Sequence, residues 1–391
     1  MRILGACSLG GAGHFRPLLP LLDAALARGD ETLVVATPGL QHLVEGAGHR
    51  FVAGGEPNES AIAPIREALP VLPPEEASVL GNRDLFGRLA TEAMLPTMTR
   101  VADEWRPDLV FREPCEYASA VVTAARLIPS AQVAISLADV EWGSIEAAAD
   151  VLESHRAGMV DELRTSPYLT AFPPSLDRSP FGDTRRLRGR EARPPAPLPD
   201  WWDGSDQPLV YVTFGSVIPL MSFAPSAFAS VIRTVGQLDA RVLFTVGRVD
   251  PSALEPAPVN VHVEQWVDQA DVLAEAQLVV CHGGSGTVLG ALAAGVPMVV
   301  LPHFGDQFAN ARRIAESGAG VTLDAGREDD GRRRPAIALM APRIGSSAAL
   351  VLSDGSFRRA ARRVGLEMES LSPADSILEE LGSVVGPGEL R

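Results

Sequence analysis

The stretch from Trp266 to Gln307 concentrates side chains suited to holding a phosphorylated, hydroxyl-rich small molecule. It reads Trp266-Val267-Asp268-Gln269, then His282-Gly283-Gly284-Ser285-Gly286-Thr287, then Pro302-His303-Phe304-Gly305-Asp306-Gln307. Trp266 offers a flat face on which a base can stack, although a tryptophan at a strand end also suits a core or an interface. The Gly-rich turn follows an apolar strand and opens a helix, where orphan N–H groups and the macrodipole favour a diphosphate. Its glycines let oxygen atoms approach the backbone, and Ser285 and Thr287 can donate hydroxyl bonds. A Gly-rich turn alone is a weak signal. Ser216, in Phe214-Gly215-Ser216 at the end of another strand, supplies a second anchor for the same anion. Asp306 and Gln307 set a carboxylate beside an amide, which offers vicinal sugar hydroxyls both acceptors and donors. Asp306 also suits a plain helix N-cap.

These residues need strands that end together. In the N-terminal half, apolar runs at Arg2–Ser8, Glu31–Thr37, Arg50–Ala53, Asp108–Arg112 and Ala131–Leu137 read as strands. Between them, Gly10–Gly13 reads as a tight turn. A helix opens at Pro17 with Leu18, Leu21, Leu22, Ala25 and Leu26 on its apolar face. A short helix covers Gln41–Glu45, and longer ones run over Asp84–Trp105 and Tyr117–Arg126. The Pro- and Glu-rich stretch Glu56–Glu76 reads as an irregular loop over a pocket. From Arg185 to Asp206 the pattern breaks into a basic, then Pro-rich segment ending in Trp201-Trp202, an extended linker.

The alternation restarts with strands Leu209–Phe214, Arg241–Val246, Val259–Val263, Leu278–Cys281 and Pro297–Leu301. Its helices are Pro225–Gln237, a short one at Ala270, Thr287–Ala294 and Gln307–Glu316. Such alternation predicts an α/β chain of two Rossmann-like doubly wound domains, with ligands bound at the carboxyl ends of the strands. The expected boundaries are 1–190, a linker 191–208, 209–370, and a tail 371–391 whose helix near Pro373–Leu381 returns to the first domain. Residues 324–347, with Glu328-Asp329-Asp330 and Arg332-Arg333-Arg334, show no clear period and read as a solvated excursion rather than a phosphate site.

Composition removes several chemistries. The 391-residue chain has a formal charge of −15, which argues against nucleic-acid binding. It contains no lysine, so neither a pyridoxal Schiff base nor a lysine P-loop is available. Cys7, Cys115 and Cys281 lie far apart in apolar contexts without metal-ligand spacing and read as buried thiols. No Asp-x-Asp metal motif occurs, and no metal or cofactor is expected. The first residues lack a long apolar core, and Leu278–Leu301 is broken by His282, glycines and Pro297. A soluble, cytoplasmic protein without a membrane span is expected, and a homodimer is left open. The Gly11-x-Gly13 loop is no dinucleotide fingerprint, because the third glycine is missing and no acid ends the second strand.

The Trp-Val-x-Gln, His-Gly-Gly-x-Gly-Thr and Pro-x-x-x-Asp-Gln series resembles the donor-site signature of metal-independent, inverting glycosyltransferases of the GT-B class. More narrowly, the chain resembles bacterial family 1-type enzymes that decorate antibiotic natural products. The resemblance spans nearly the whole chain, with its strongest motifs between Trp266 and Gly320. It implies two domains facing across a cleft, with Trp266 on the base, Val267 near its edge and Gln269 close by. Ser216, His282, Gly284, Ser285, Gly286 and Thr287 then hold the diphosphate, and Asp306 and Gln307 the sugar.

By the same resemblance, His14 in Gly13-His14-x-x-Pro17 matches the catalytic base. Glu113 matches an orienting carboxylate that is usually Asp, with Glu116 as the alternative. The implied partners are a dTDP- or UDP-sugar and a hydrophobic hydroxylated aglycone. Phe86, Met94, Leu95, Trp142 and Phe172 are candidates for its pocket, or for the core. An epimerase or hydrolase of the same fold, or a silent homologue acting as a partner protein, are the competing readings.

Overall fold

The computed structural model describes residues 1–9, 11–69, 72–189, 194–202, 204–324 and 336–384. They form two compact units, Met1–Glu191 with Ser370–Arg391, and Ala192–Glu369.

The first unit is built on seven parallel strands: β1 (Arg2–Cys7), β2 (Glu31–Ala36), β3 (Arg50–Ala53), β4 (Leu109–Arg112), β5 (Ser130–Val133), β6 (Tyr168–Thr170) and β7 (Thr184–Arg186). Their order is β3-β2-β1-β4-β5-β6-β7. From Ile3 to Cys7 every residue of β1 is buried, as expected of a strand covered on both faces. The winding reverses between β1 and β4, where Ala6 lies beside Arg112. This is a topological switch point, the place where open parallel sheets leave room for ligands.

The chain leaves β1 through Gly11, at φ +69, and is helical from Ala12 rather than from Pro17. Gly13 is therefore helical and not part of a tight turn, while Gly10 lies outside the described residues. Pro17 sits at the second position of the 3₁₀ segment Arg16–Leu18, where a missing N–H is tolerated. The helix Leu19–Ala27 follows. Leu18, Leu21, Leu22 and Ala25 pack into the core, whereas Leu26 is exposed.

Glu56–Glu76 differs from the irregular loop expected. Glu59–Ala68 is a helix entered from Asn58, with Pro64 inside it. Ile62, Ile65 and Leu69 keep helical spacing across that proline, which masked the pattern. A helix at Pro74–Ser78 runs into a π-helical segment, Val79–Ala90, and then into the α-helix Thr91–Trp105. The helix expected at Asp84 thus begins earlier. Residues 138–167, given no element by the sequence, form three helices, Ala138–Ala147, Ala149–His155 and Met159–Thr165. The extended segment read from Arg185 begins too early, because Thr184–Arg186 is β7 and Leu187 bridges Ser372, whereas neither touches the linker bounds 191–208. Helix Ala374–Val384 puts Ile377, Leu378 and Leu381 into the same core as Ile3, Leu18 and Leu22.

The second unit repeats the plan with β8 (Leu209–Thr213), β9 (Arg241–Thr245), β10 (Val261–Glu264), β11 (Ala276–Cys281), β12 (Met298–Val300) and β13 (Gly320–Thr322). The order is β10-β9-β8-β11-β12-β13, and the switch point falls between β8 and β11, with Thr213 beside Cys281. Trp201 stacks on His262 of β10 at 4.3 Å, so the end of the Pro-rich segment covers that edge strand.

Helix Ala336–Ser353 corrects the reading of 324–347 as a solvated excursion. Ile337, Ala341, Ile344, Ala348 and Val351 are core residues of this unit. The charged run 325–335 lies outside the described residues. Among the described residues, no helix is long and apolar enough to cross a membrane.

Candidate active site

At the first switch point, β1 and β4 bring two distant residues together. Glu113 extends the ladder one step past β4, its N–H donating to the Ala6 carbonyl at 3.0 Å. Its side chain is 0% exposed. Oε1 accepts from the Ser8 hydroxyl at 2.9 Å and the Ser8 N–H at 3.3 Å, and Oε2 accepts from the Cys115 N–H at 2.8 Å. His14, in the first helical turn after β1, places Nδ1 3.3 Å from Oε2. Burial raises the carboxyl's pKa, but the adjacent His14 and these donors outweigh it and hold Glu113 below the usual range.

A face of the imidazole stacks on Phe86 at 5.9 Å and 19°. Phe86 is carried by the π-helical segment, and its carbonyl is fixed by the Thr91 hydroxyl at 2.8 Å. Of the aglycone-pocket candidates, Met94 and Phe172 are buried, and Leu95 and Trp142 pack against core clusters.

Glu116 is directed elsewhere. It caps helix Tyr117–Arg126, accepting from the Ser119 N–H at 3.0 Å and from the Ser119 hydroxyl. Burial pushes its pKa up to about 7, against the pull of those donors. Arg112, which the sequence did not single out, is wholly buried. Its Nη1 donates to the carbonyls of Glu113 at 3.3 Å and Pro114 at 3.0 Å, folding the turn that aims the two carboxyls apart.

At the second switch point, His282 leaves β11 beside the end of β8. Its ring is wedged between glycines. A Cβ on Gly215 comes within 2.7 Å of it, and one on Gly284 within 2.5 Å. Gly215 at φ +70 and Gly283 at φ +87 also need conformations that side chains resist. Desolvation and the nearby His303 lower the pKa of His282 to about 4, with a backbone bond to Thr213 opposing, so the ring is neutral near pH 7. Gly284 is the N-cap of helix Ser285–Ala293, with no side-chain cap on the helix start, whose first N–H groups lack intrahelical partners. A Cβ on Gly286, by contrast, would meet nothing within 4 Å, and Ser216 is exposed at the end of β8.

The remaining residues split between open and engaged. Trp266, past β10, is 68% exposed, and Val267 is half-buried behind it. Gln269 opens helix Gln269–Glu275 and donates to the Thr287 hydroxyl at 3.3 Å, tying the Trp266 loop to the Gly-rich turn.

Asp306 stands at the N-cap of helix Gln307–Ser317 without a capping bond from its side chain. Its Oδ2 instead accepts the Ser285 hydroxyl at 2.8 Å and the Asn310 amide at 3.0 Å. That commits the Ser285 proton to Asp306 and leaves Ser285 an acceptor toward other partners. Gln307 is buried, its Oε1 accepting from the N–H groups of His303 at 2.8 Å and Phe304 at 3.2 Å. His303 itself packs on Phe223 at 5.2 Å with both ring nitrogens buried and unpartnered, and burial lowers its pKa to about 4.

Known proteins resemble this chain in sequence and fold. Models of the erythromycin biosynthesis protein CIII-like family match residues 24–215 with their N-terminal domain and 229–381 with their C-terminal domain. The elloramycin glycosyltransferase ElmGT of Streptomyces olivaceus is 32% identical over 385 residues, 96% of this chain and 95% of its own. The TDP-daunosamine transferase DnrS of Streptomyces peucetius is 28% identical over 406 residues, 91% of this chain and 90% of its own. The crystal structure of the glycosyltransferase SnogD from Streptomyces nogalater is similar at a TM-score of 0.75 and 27% identity, covering 99% of each chain.

Two parallel Rossmann-like sheets of this kind define the GT-B glycosyltransferases. Within that class, the chain belongs to the erythromycin biosynthesis protein CIII-like family, the family 1 glycosyltransferases of natural-product biosynthesis.

Proposed function

We propose that the protein moves a deoxysugar from a dTDP- or UDP-sugar to a hydroxyl of a hydrophobic natural-product aglycone, such as a polyketide or enediyne, with inversion and without a metal. The approach of His14 Nδ1 to the buried Glu113 carboxylate, 3.3 Å, carries this reading. An acceptor hydroxyl is a poor nucleophile until a base takes its proton. With Nδ1–H turned to Glu113, Nε2 is the nitrogen that accepts that proton. The acceptor oxygen attacks the anomeric carbon as the opposite bond to the diphosphate breaks. Charge then builds on the leaving group, where the start of helix Ser285–Ala293, Thr287 and Ser216 stabilise it. His282, wedged between Gly215 and Gly284, shapes the turn that receives the diphosphate, Trp266 stacks on the base with Val267 and Gln269 beside it, and Asp306 and Gln307 hold the sugar. The likeness to a TDP-daunosamine transferase supports a dTDP-linked donor.

The test is incubation with dTDP- and UDP-sugars, with and without hydroxylated aglycones, followed by anomeric analysis of the product. His14→Ala is expected to bind the nucleotide-sugar normally and to lose about 10²–10⁴-fold in transfer. Full turnover by that variant sinks the base assignment. A retained anomer removes the single displacement, and donor breakdown that ignores the aglycone makes the protein a hydrolase.

A further inference from the structure

We infer that Asn310 is the positioning residue for the sugar end of the donor site, holding the Gly283 carbonyl, the Ser285 hydroxyl and the Asp306 carboxylate in one array. The inference rests on the proposed reading that Asp306 and Gln307 hold the transferred sugar. Asn310 is 1% exposed on helix Gln307–Ser317. Its Nδ2 lies 2.9 Å from the Gly283 oxygen, 3.0 Å from Ser285 Oγ and 3.0 Å from Asp306 Oδ2. An amide nitrogen carries two hydrogens, so one of them is shared between two acceptors. The reversed amide would set an oxygen against a carbonyl and a carboxylate, so only one orientation is compatible with all three neighbours. Ser285 accepts from Asn310 and passes its own hydrogen to Asp306 Oδ2 at 2.8 Å. The proton directions around the ring are thereby consistent. The helix keeps Asp306 and Asn310 in contact, since the Asn310 N–H donates to the Asp306 carbonyl at 2.9 Å.

The consequence reaches the ligand through Asp306. Two donors on Oδ2 stop the carboxylate from rotating. Gln307 is fixed in parallel, because its Oε1 accepts two backbone N–H groups of its own loop, which leaves its amide nitrogen as the part that can donate to a sugar oxygen. The sugar therefore meets a carboxylate held by Asn310 beside an amide that cannot flip. Asn310 itself touches no substrate and acts through its neighbours.

The experiment is a double-mutant cycle in the full-length enzyme, combining Asn310→Ala with Asp306→Ala. Its readouts are donor KM and kcat from initial rates, and the dissociation constants of the nucleoside diphosphate with and without its sugar. Asn310→Ala is expected to raise donor KM about tenfold, the loss of one hydrogen bond to a charged group. Binding of the sugar-free nucleoside diphosphate should change less than about threefold. In the Asp306→Ala background the Asn310 substitution should add less than about twofold, because both act on one contact. Equal weakening of both ligands, or effects that multiply in the double variant, would overturn the inference. If Asp306→Ala leaves donor KM unchanged, the sugar contact itself falls and the inference falls with it. If Asp306→Ala impairs donor use while Asn310→Ala does not, the inference fails and the sugar contact stands. Should the alanine variant not fold, Asn310→Ser, which keeps a hydroxyl donor, carries the same comparison with a smaller expected shift.

Discussion

Glu113→Gln isolates the charge of the first unit's carboxylate from its shape. The side chain is 0% exposed and surrounded by donors, the Ser8 hydroxyl and N–H on one oxygen and the Cys115 N–H on the other. Glutamine fits the space, yet either orientation turns an NH₂ toward a backbone N–H. Leaving such a buried donor unpaired costs about 1–3 kcal/mol of stability. In one orientation the NH₂ also faces His14 Nδ1 and donates to it, moving the ring proton to Nε2, where it blocks the proposed base. The lost attraction is large as well. At an effective dielectric constant of about 20, unit charges 3.3 Å apart attract by about 5 kcal/mol, an upper bound for stabilising the imidazolium formed during attack. Both routes lead to a kcat reduced by about 10²–10⁴-fold, with the nucleotide-sugar dissociation constant unchanged. Single-turnover transfer with a saturating donor reads the first quantity, and calorimetric titration reads the second. A folded Glu113→Gln enzyme with kcat within threefold of the parent refutes the argument that the carboxylate orients and charges His14.

Gly286 and Gly284 separate ligand space from folding space. Gly286→Ala should leave the melting temperature unchanged or raise it, since a helical alanine gains about 0.5–1 kcal/mol over glycine, while donor KM rises at least about tenfold. Gly284→Ala drives a methyl to 2.5 Å from the His282 ring and should destabilise the fold by about 1–3 kcal/mol; a rise in stability there contradicts the wedge. Trp266→Ala should weaken nucleoside diphosphate binding by about 1–3 kcal/mol without altering the melting temperature, because the ring is 68% exposed. Unchanged binding removes it from the base site. Glu141 is buried, accepts the Ile135 and Ser136 N–H groups, and has its pKa pushed up to about 8 by burial. The folded state therefore holds a proton that the unfolded chain releases above about pH 4.5, and stability falls as pH rises from there to about 8. Glu141→Gln should flatten that slope in melting temperature, read as the difference from the parent. This comparison cancels His282 and His303, whose lowered pKa values act in the opposite sense.

The strand ends that flank the two switch points were legible, though not the strand order, because each combines an uninterrupted apolar strand with a Gly-rich stretch. Cys281 passes straight into His282-Gly283-Gly284, and Cys7 leads through Ser8 toward Gly11. The choice between Glu113 and Glu116 was not legible. Both follow β4 within one turn, and it is bonds from distant or neighbouring residues, Ser8 and Cys115 to Glu113 and Ser119 to Glu116, that set which carboxyl faces His14. Asn310 was overlooked because a single polar residue inside a helix gives no signal of what it faces. Elements near prolines and charge runs fared worst. Pro64 hid the helix Glu59–Ala68. Pro342, together with the arginine run upstream, hid a helix whose residues Ile337, Ala341, Ile344, Ala348 and Val351 mark one buried stripe. The π-helical segment that carries Phe86 to His14 has no period of its own to read.

The helix Ala374–Val384 has a consequence for synthesis and for engineering. Because Ile377, Leu378 and Leu381 complete the core around Leu18 and Leu22, the first unit is not one continuous piece of chain. A ribosome releases its last core residues only after Ala192–Glu369 has been made, so that unit waits, unfinished, while the other can already close. A hybrid that joins two parents near residue 192 must therefore carry the tail of the same parent as its beginning. A single crossover asks Leu18 and Leu22 to pack against a stranger's helix.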